Sequence, residues 1–129
     1  MYEFKDEFRT GIESIDMEHA KLFEIADKAY ETLMDDFIPD KYDYIVEILN
    51  ELKEYAATHF RHEEEYMISI NYRKLLSQKA MHDEFIQKIS SYDLNELDEN
   101  QKDAIIEILN FLNDWLVEHI MKSDKLIGK

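Results

Sequence analysis

Residues 56–67 read AATHFRHEEEYM, and the side on which their polar groups fall decides the fold. At 3.6 residues per turn, positions three and four apart share a helix face, so Ala56, His59, Glu63 and Met67 line up. Extended backwards, the same stripe takes in Ile45, Ile48, Leu49 and Leu52. A helix is therefore expected from about Asp40 to near Asn71, with a histidine and a glutamate on its apolar face. Arg61, His62, Glu64 and Glu65 fall towards its flanks and outer surface. His62 lies three residues from His59, so angle alone does not separate them, but the apolar register places it on the flank.

Three further stripes flank this one. The first begins after Gly11, with Ser14 or Asp16 as candidate N-cap, and aligns Ile15, His19, Leu22, Phe23, Ala26, Tyr30 and Leu33 up to a stop at Pro39. The third aligns Leu75, Gln78, His82, Phe85, Ile86 and Ile89, then dissolves in SYDLNELDEN at 91–100. Asp98 with Gln101 three residues on resembles a capping box for the fourth, which aligns Ile105, Ile108, Leu109, Leu112, Trp115, Leu116, His119 and Ile120. Four amphipathic helices with short connections predict an all-α fold, an antiparallel up-down-up-down four-helix bundle, as one domain over 1–129. Residues 1–12, with Tyr2, Phe4 and Phe8, are expected to form an N-terminal arm across it.

Composition agrees and removes several function classes. Two glycines and one proline leave little material for hairpin turns. A formal net charge of -15 repels a phosphate backbone and an anionic membrane surface, so nucleic acid and membrane are not expected partners. The absence of cysteine excludes disulfides, thiolate metal sites and thiol catalysis, and suits an intracellular chain. MYEFKDEFR has no apolar run of signal-peptide type, and no stretch approaches a membrane span; a cytoplasmic protein is expected. GxSxG, HExxH and a phosphate-binding glycine loop are absent. Glu-x-x-His precedes none of the histidines, and only Asp16 stands in that relation to His19, which argues against a ferritin-like di-iron site.

Four of the five histidines lie on the stripes, one per helix: His19, His59, His82 and His119. A single inward histidine is ordinarily a hydrogen-bonded core residue, but four converging imidazoles leave many nitrogens unpaired unless something binds them. Glu63 is costlier. A buried carboxylate is protonated, paired or bound to a cation, and neither Arg61 nor Arg73 lies on an inward stripe, so metal is the better partner. Asp124 follows His119 by five residues, about 140° around an ideal helix. Spacing alone makes it a C-terminal surface residue, unless fraying or a tighter turn brings it round. Histidine and carboxylate without sulfur suit iron, manganese or zinc.

GIESIDMEHAKLF at 11–23, HFRHEEEYM at 59–67, His82 with Asp83, Glu84 and Phe85, and HIMKSD at 119–124 together resemble the hemerythrin family in its short single-domain bacterial and archaeal form. The resemblance implies a non-haem di-iron site that binds dioxygen reversibly, and not an enzyme. It implies His19 and His59 on the iron where dioxygen docks, His82 and His119 on the other, and Glu63 and Asp124 bridging the pair together with an oxo or hydroxo group. It also implies Leu22, Phe60, Trp115, Leu116 and Ile120 as walls of the oxygen pocket, although each is equally explained as ordinary core.

One position departs. The family has a histidine four residues before the one matching His82, and this chain has Gln78. A glutamine coordinates through its carbonyl oxygen as a neutral, weaker donor than imidazole, or hydrogen-bonds a water in its place. An open position there invites oxidase, peroxidase or nitric-oxide chemistry as the alternative to oxygen storage, delivery, scavenging or sensing. A metal-free or zinc-occupied structural bundle is the third reading.

Overall fold

A computed structural model of the chain describes residues 2–35, 37, 42–92 and 101–128. Four long helices make up most of it: α1 (Glu13–Met34), α2 (Tyr42–Ser69), α3 (Leu75–Ser90) and α4 (Gln101–His119). A π-helical segment, Ile120–Asp124, and a last α-turn, Lys125–Ile127, continue α4. Pro39 as a stop, Asp40 as a start, the side chain of Ile45 and the Asp98–Gln101 capping box fall outside the described residues.

The helices alternate in direction, as the paired contacts show. Along α1, His19 meets His59 and Lys28 meets Glu51, so numbers rise on one helix as they fall on the other. Phe60 meets His82 and Glu64 meets Lys79, which runs α3 against α2; Phe85 meets Trp115 while Tyr92 meets Phe111, which runs α4 against α3. This is the up-down-up-down bundle that the stripes predict. Its core is those stripes interdigitated: Leu22, Phe23 and Ala26 from α1, Leu52, Ala56 and Phe60 from α2, Phe85 and Ile89 from α3, Ile105, Ile108, Leu112 and Leu116 from α4. Each large side chain so buried contributes about 1.5–3 kcal/mol relative to exposure.

The start of α1 and the end of α2 each differ from a simple cap. Helix α1 starts one residue before Ser14 and three before Asp16, with Ile12 as N-cap and no side-chain cap bond, so neither expected residue caps it. Asp16 works from inside the first turn instead. Its carboxylate accepts from the Thr10 amide and hydroxyl, both at 2.8 Å, and from the Gly11 amide at 3.2 Å. That folds the chain back at Gly11, whose φ of 91° suits a residue without a Cβ. At the far end of α2, Asn71 takes φ 53°, while the Tyr72 amide donates to Met67 and the Asn71 amide to Ile68, a Schellman closure that stops the helix where the stripe ran out.

The arm lies on the bundle. Phe8 is buried and stacks on Phe23 with ring centroids 5.6 Å apart and planes 11° apart, and Phe4 packs beside both. The Tyr2 amide donates to Asp27, and Lys125 Nζ donates to the Glu7 carbonyl, tying the arm to α1 and to the chain's last turn. Among the described residues, no helix is long and apolar enough to cross a membrane.

Candidate metal centre

The inward polar residues of the four stripes meet at one end of the bundle. His19 comes from α1, His59 and Glu63 from α2, Gln78 and His82 from α3, and His119 from the last residue of α4; all are buried. Asp124 joins them, which corrects the surface position that spacing alone gives it. The cause is the π-helical segment: the Lys125 amide donates to the Ile120 carbonyl five residues back. A π-turn takes up one residue more than an α-turn, so a five-residue step returns towards the starting face instead of passing it by 140°. The turn at this end is wider, not tighter.

The two carboxylates divide their oxygens between two pairs of histidines. Glu63, 0 % exposed, places Oε2 3.0 Å from His59 Nε2 and 3.5 Å from His19 Nε2, and Oε1 3.2 Å from His82 Nε2 and 4.0 Å from His119 Nε2. Asp124 places Oδ2 3.0 Å from His19 Nε2 and Oδ1 3.1 Å from His119 Nε2. Two four-residue groups result, His19, His59, Glu63 and Asp124, and Glu63, His82, His119 and Asp124. Within each, the candidate donor atoms all lie within 4.8 Å of one another.

Only part of this proximity is hydrogen bonding: His82 Nε2 and Glu63 Oε1 pair at 3.2 Å, but other atoms of the centre do not. His59 Nε2, His119 Nε2, Glu63 Oε2 and Asp124 Oδ2 are buried without a hydrogen-bond partner among the described residues, despite neighbours at 3.0–3.1 Å. Buried polar atoms rarely remain unsatisfied, and lone pairs that converge without facing one another fit a third body between them. The donor set therefore fits a cation, and its nitrogen and oxygen composition fits the harder transition metals.

Carboxylates behind the histidines aim two of them. His59 Nδ1 lies 3.0 Å from Glu18 Oε1, and His82 Nδ1 lies 2.9 Å from Glu64 Oε2. A carboxylate only accepts, so each Nδ1 carries the proton and turns Nε2 to the centre. Glu18 and Glu64 were not legible as functional residues from the stripes, since both sit on flanks; the signal was the rule that a ligating imidazole donates its other N–H to an acceptor. The second oxygen of Glu18 takes His62 Nδ1 at 2.7 Å. His62 itself is 47 % exposed and outside the centre, on the flank the register gave it.

Charge follows this layout. Burial pushes the Glu63 carboxyl up, but the imidazoles of His19, His59 and His82 standing against it outweigh that and hold the group well below the usual carboxylate range. Burial pulls His59 down, yet Glu18 and Glu63 raise it to about 9. His19 moves the same way, burial being outweighed by Asp124 and Glu63.

Aromatic rings cover one half of the centre. Phe60 stacks on His82 at 4.0 Å and Trp115 on His119 at 4.4 Å, and the two rings meet edge to face at 5.8 Å. Leu22, Leu116 and Ile120 are buried and belong to the same core cluster as Phe60. A cleft of about 890 Å³ opens elsewhere, between α1 and α2, and shares only Glu18 and His62 with this network.

A buried centre of histidines and carboxylates inside an antiparallel four-helix bundle defines a class: the helical-bundle metal-binding proteins. The model of the hemerythrin HHE cation binding domain matches residues 10–129, so the chain belongs to the hemerythrin family. It is 50 % identical over 125 residues to a bacteriohemerythrin of Clostridium acetobutylicum, covering 97 % of each chain. It is 30 % identical to a myohemerythrin of Riftia pachyptila, covering 95 % of this chain and 88 % of that one. A crystal structure of wild-type hemerythrin superposes with a TM-score of 0.74 at 28 % identity, over 92 % of this chain and 88 % of the other.

Proposed function

We propose that the chain, as one domain with residues 1–12 as its arm, is a non-haem di-iron protein that binds dioxygen. The observation that carries this reading is the division of Glu63 and Asp124 between two histidine pairs, since a carboxylate with one oxygen on each side is the arrangement that bridges two ions. His19 and His59 would hold one iron, His82 and His119 the other, with Gln78 the remaining candidate beside Asp124. The iron pair, when bound, supplies the redox electrons and the coordination position that dioxygen requires.

The chain's own part is to bind, aim and keep dry. Glu18 and Glu64 fix the imidazole planes of His59 and His82, and Phe60 and Trp115 lay apolar rings on His82 and His119 within the core that Leu22, Leu116 and Ile120 also build. Excluding water slows loss of the ions and irreversible oxidation, which favours carriage over turnover. The oxidase or peroxidase alternative needs an opening beside Gln78, whereas Gln78 is 1 % exposed and packed against Asp124.

The experiment is direct. Protein loaded anaerobically with two equivalents of iron(II) is exposed to oxygen and then degassed, with visible spectra throughout. A band that appears with oxygen and fades on its removal is expected, and no oxygen-dependent band would refute the reading.

A further inference from the structure

We infer that Gln78 is a ligand of the His82–His119 position through Oε1, while its amide nitrogen holds the bridging carboxylate of Asp124. This rests on the two-metal reading above. Gln78 lies four residues before His82 on α3, so both side chains leave the helix on one face. Its amide nitrogen stands 3.3 Å from Asp124 Oδ1, the oxygen that also faces His119. A carboxylate cannot donate, so the amide must present its nitrogen to Asp124, and the orientation of the group is settled by its partner.

The carbonyl oxygen is then the one polar atom of the amide left to be satisfied. Gln78 Oε1 is buried and has no hydrogen-bond partner among the described residues. An unpaired amide oxygen in a core is unfavourable, and a polar partner inside the centre relieves it. The contact also breaks the symmetry of the site. Asp124 offers Oδ2 to His19 and Oδ1 to His119, and Gln78 stands on the Oδ1 side. The His82–His119 position therefore has one donor more than the His19–His59 position, and that donor is a neutral oxygen. With Gln78 ligating, the His82–His119 position would offer an oxygen-richer set that suits hard ions, and the His19–His59 position would have one protein donor fewer.

The test compares wild type, Gln78→Met, which keeps the length and removes the amide oxygen and nitrogen together, and Gln78→His, which restores a ligand atom without the amide nitrogen. Each is loaded with cobalt(II), freed of excess metal, and challenged with a chelator while metal content and the cobalt absorption are followed. Wild type should hold about two ions, and Gln78→Met should release one of them at least roughly 10–100-fold faster, the loss typical of removing even a supporting partner of a ligand. The second ion should be unaffected, and Gln78→His should hold both. Equal release from wild type and Gln78→Met would overturn the inference. A wild type that holds fewer than two ions would instead overturn the two-metal reading beneath it. Should Gln78→Met fail to fold, wild type labelled with ¹³C in the side-chain carbonyls of its three glutamines answers the same question with zinc. The resonance absent from Gln78→His moves on zinc binding if Oε1 is a ligand, and its remaining in place would overturn the inference.

Discussion

Removing metal is expected to reverse the pH dependence of this protein's stability. In the metal-free chain, His59 sits between the carboxylates of Glu18 and Glu63 and is raised from 6.5 to about 9. A histidine raised in the folded state contributes stability that is complete below its unfolded value and is lost as pH climbs through the folded one, here from about 6.5 to about 9. At ~1.4 kcal/mol per pH unit the loss is about 3 kcal/mol. Unfolding entropy of ~2.1 cal/mol/K per residue turns this into a fall in Tm on the order of 10 °C for a chain of this length. His19, raised by Asp124 and Glu63, adds to the same slope. With metal bound, the imidazoles are neutral in the folded protein, so the unfolded chain binds more protons below about pH 6.5, and stability rises with pH to that point and then levels. Thermal melts followed by circular dichroism, with and without chelator, at half-unit steps between pH 6 and 9.5 give the two curves. A metal-free Tm that stays flat or climbs over this interval would refute the charge layout described for Glu18, His59 and Glu63.

Two substitutions away from the ligands complete the set. Glu18→Ala leaves His59 Nδ1 without its acceptor, and metal affinity at the His19–His59 position should fall roughly 10–100-fold in a competition titration, with the bundle's far-ultraviolet spectrum unchanged. Gly128→Ala places a Cβ against the Thr10 carbonyl oxygen, where the chain's end passes beneath the arm. Displacing that contact should cost about 1–3 kcal/mol in denaturant unfolding and should leave metal stoichiometry unaltered.

The bundle and most of its centre were readable from periodicity because both are local properties of a helix. Glu63 faces inward with His59 since four residues nearly complete a turn, and one histidine per stripe puts four imidazoles in one core whatever the connections do. Helix α2 ends near Asn71 because the stripe ends there and Asn tolerates the left-handed conformation the turn needs. A similar local rule misplaces the cap of α1. Ser14 and Asp16 are good cap residues by type, but Asp16 serves better reaching back to Thr10 and Gly11, a gain that exists only once the arm is folded over.

What the sequence determined by itself, then, is which faces are apolar and which polar groups those faces carry inwards. Only the tertiary structure decided where the fourth helix changes its hydrogen-bond register at Ile120–Asp124, which carboxylates stand behind His59 and His82, and which way the Gln78 amide points. Those outcomes depend on partners brought from other helices. An α-turn and a π-turn are close alternatives for the backbone at a helix end, and it is the wider one that sets Asp124 between His19 and His119.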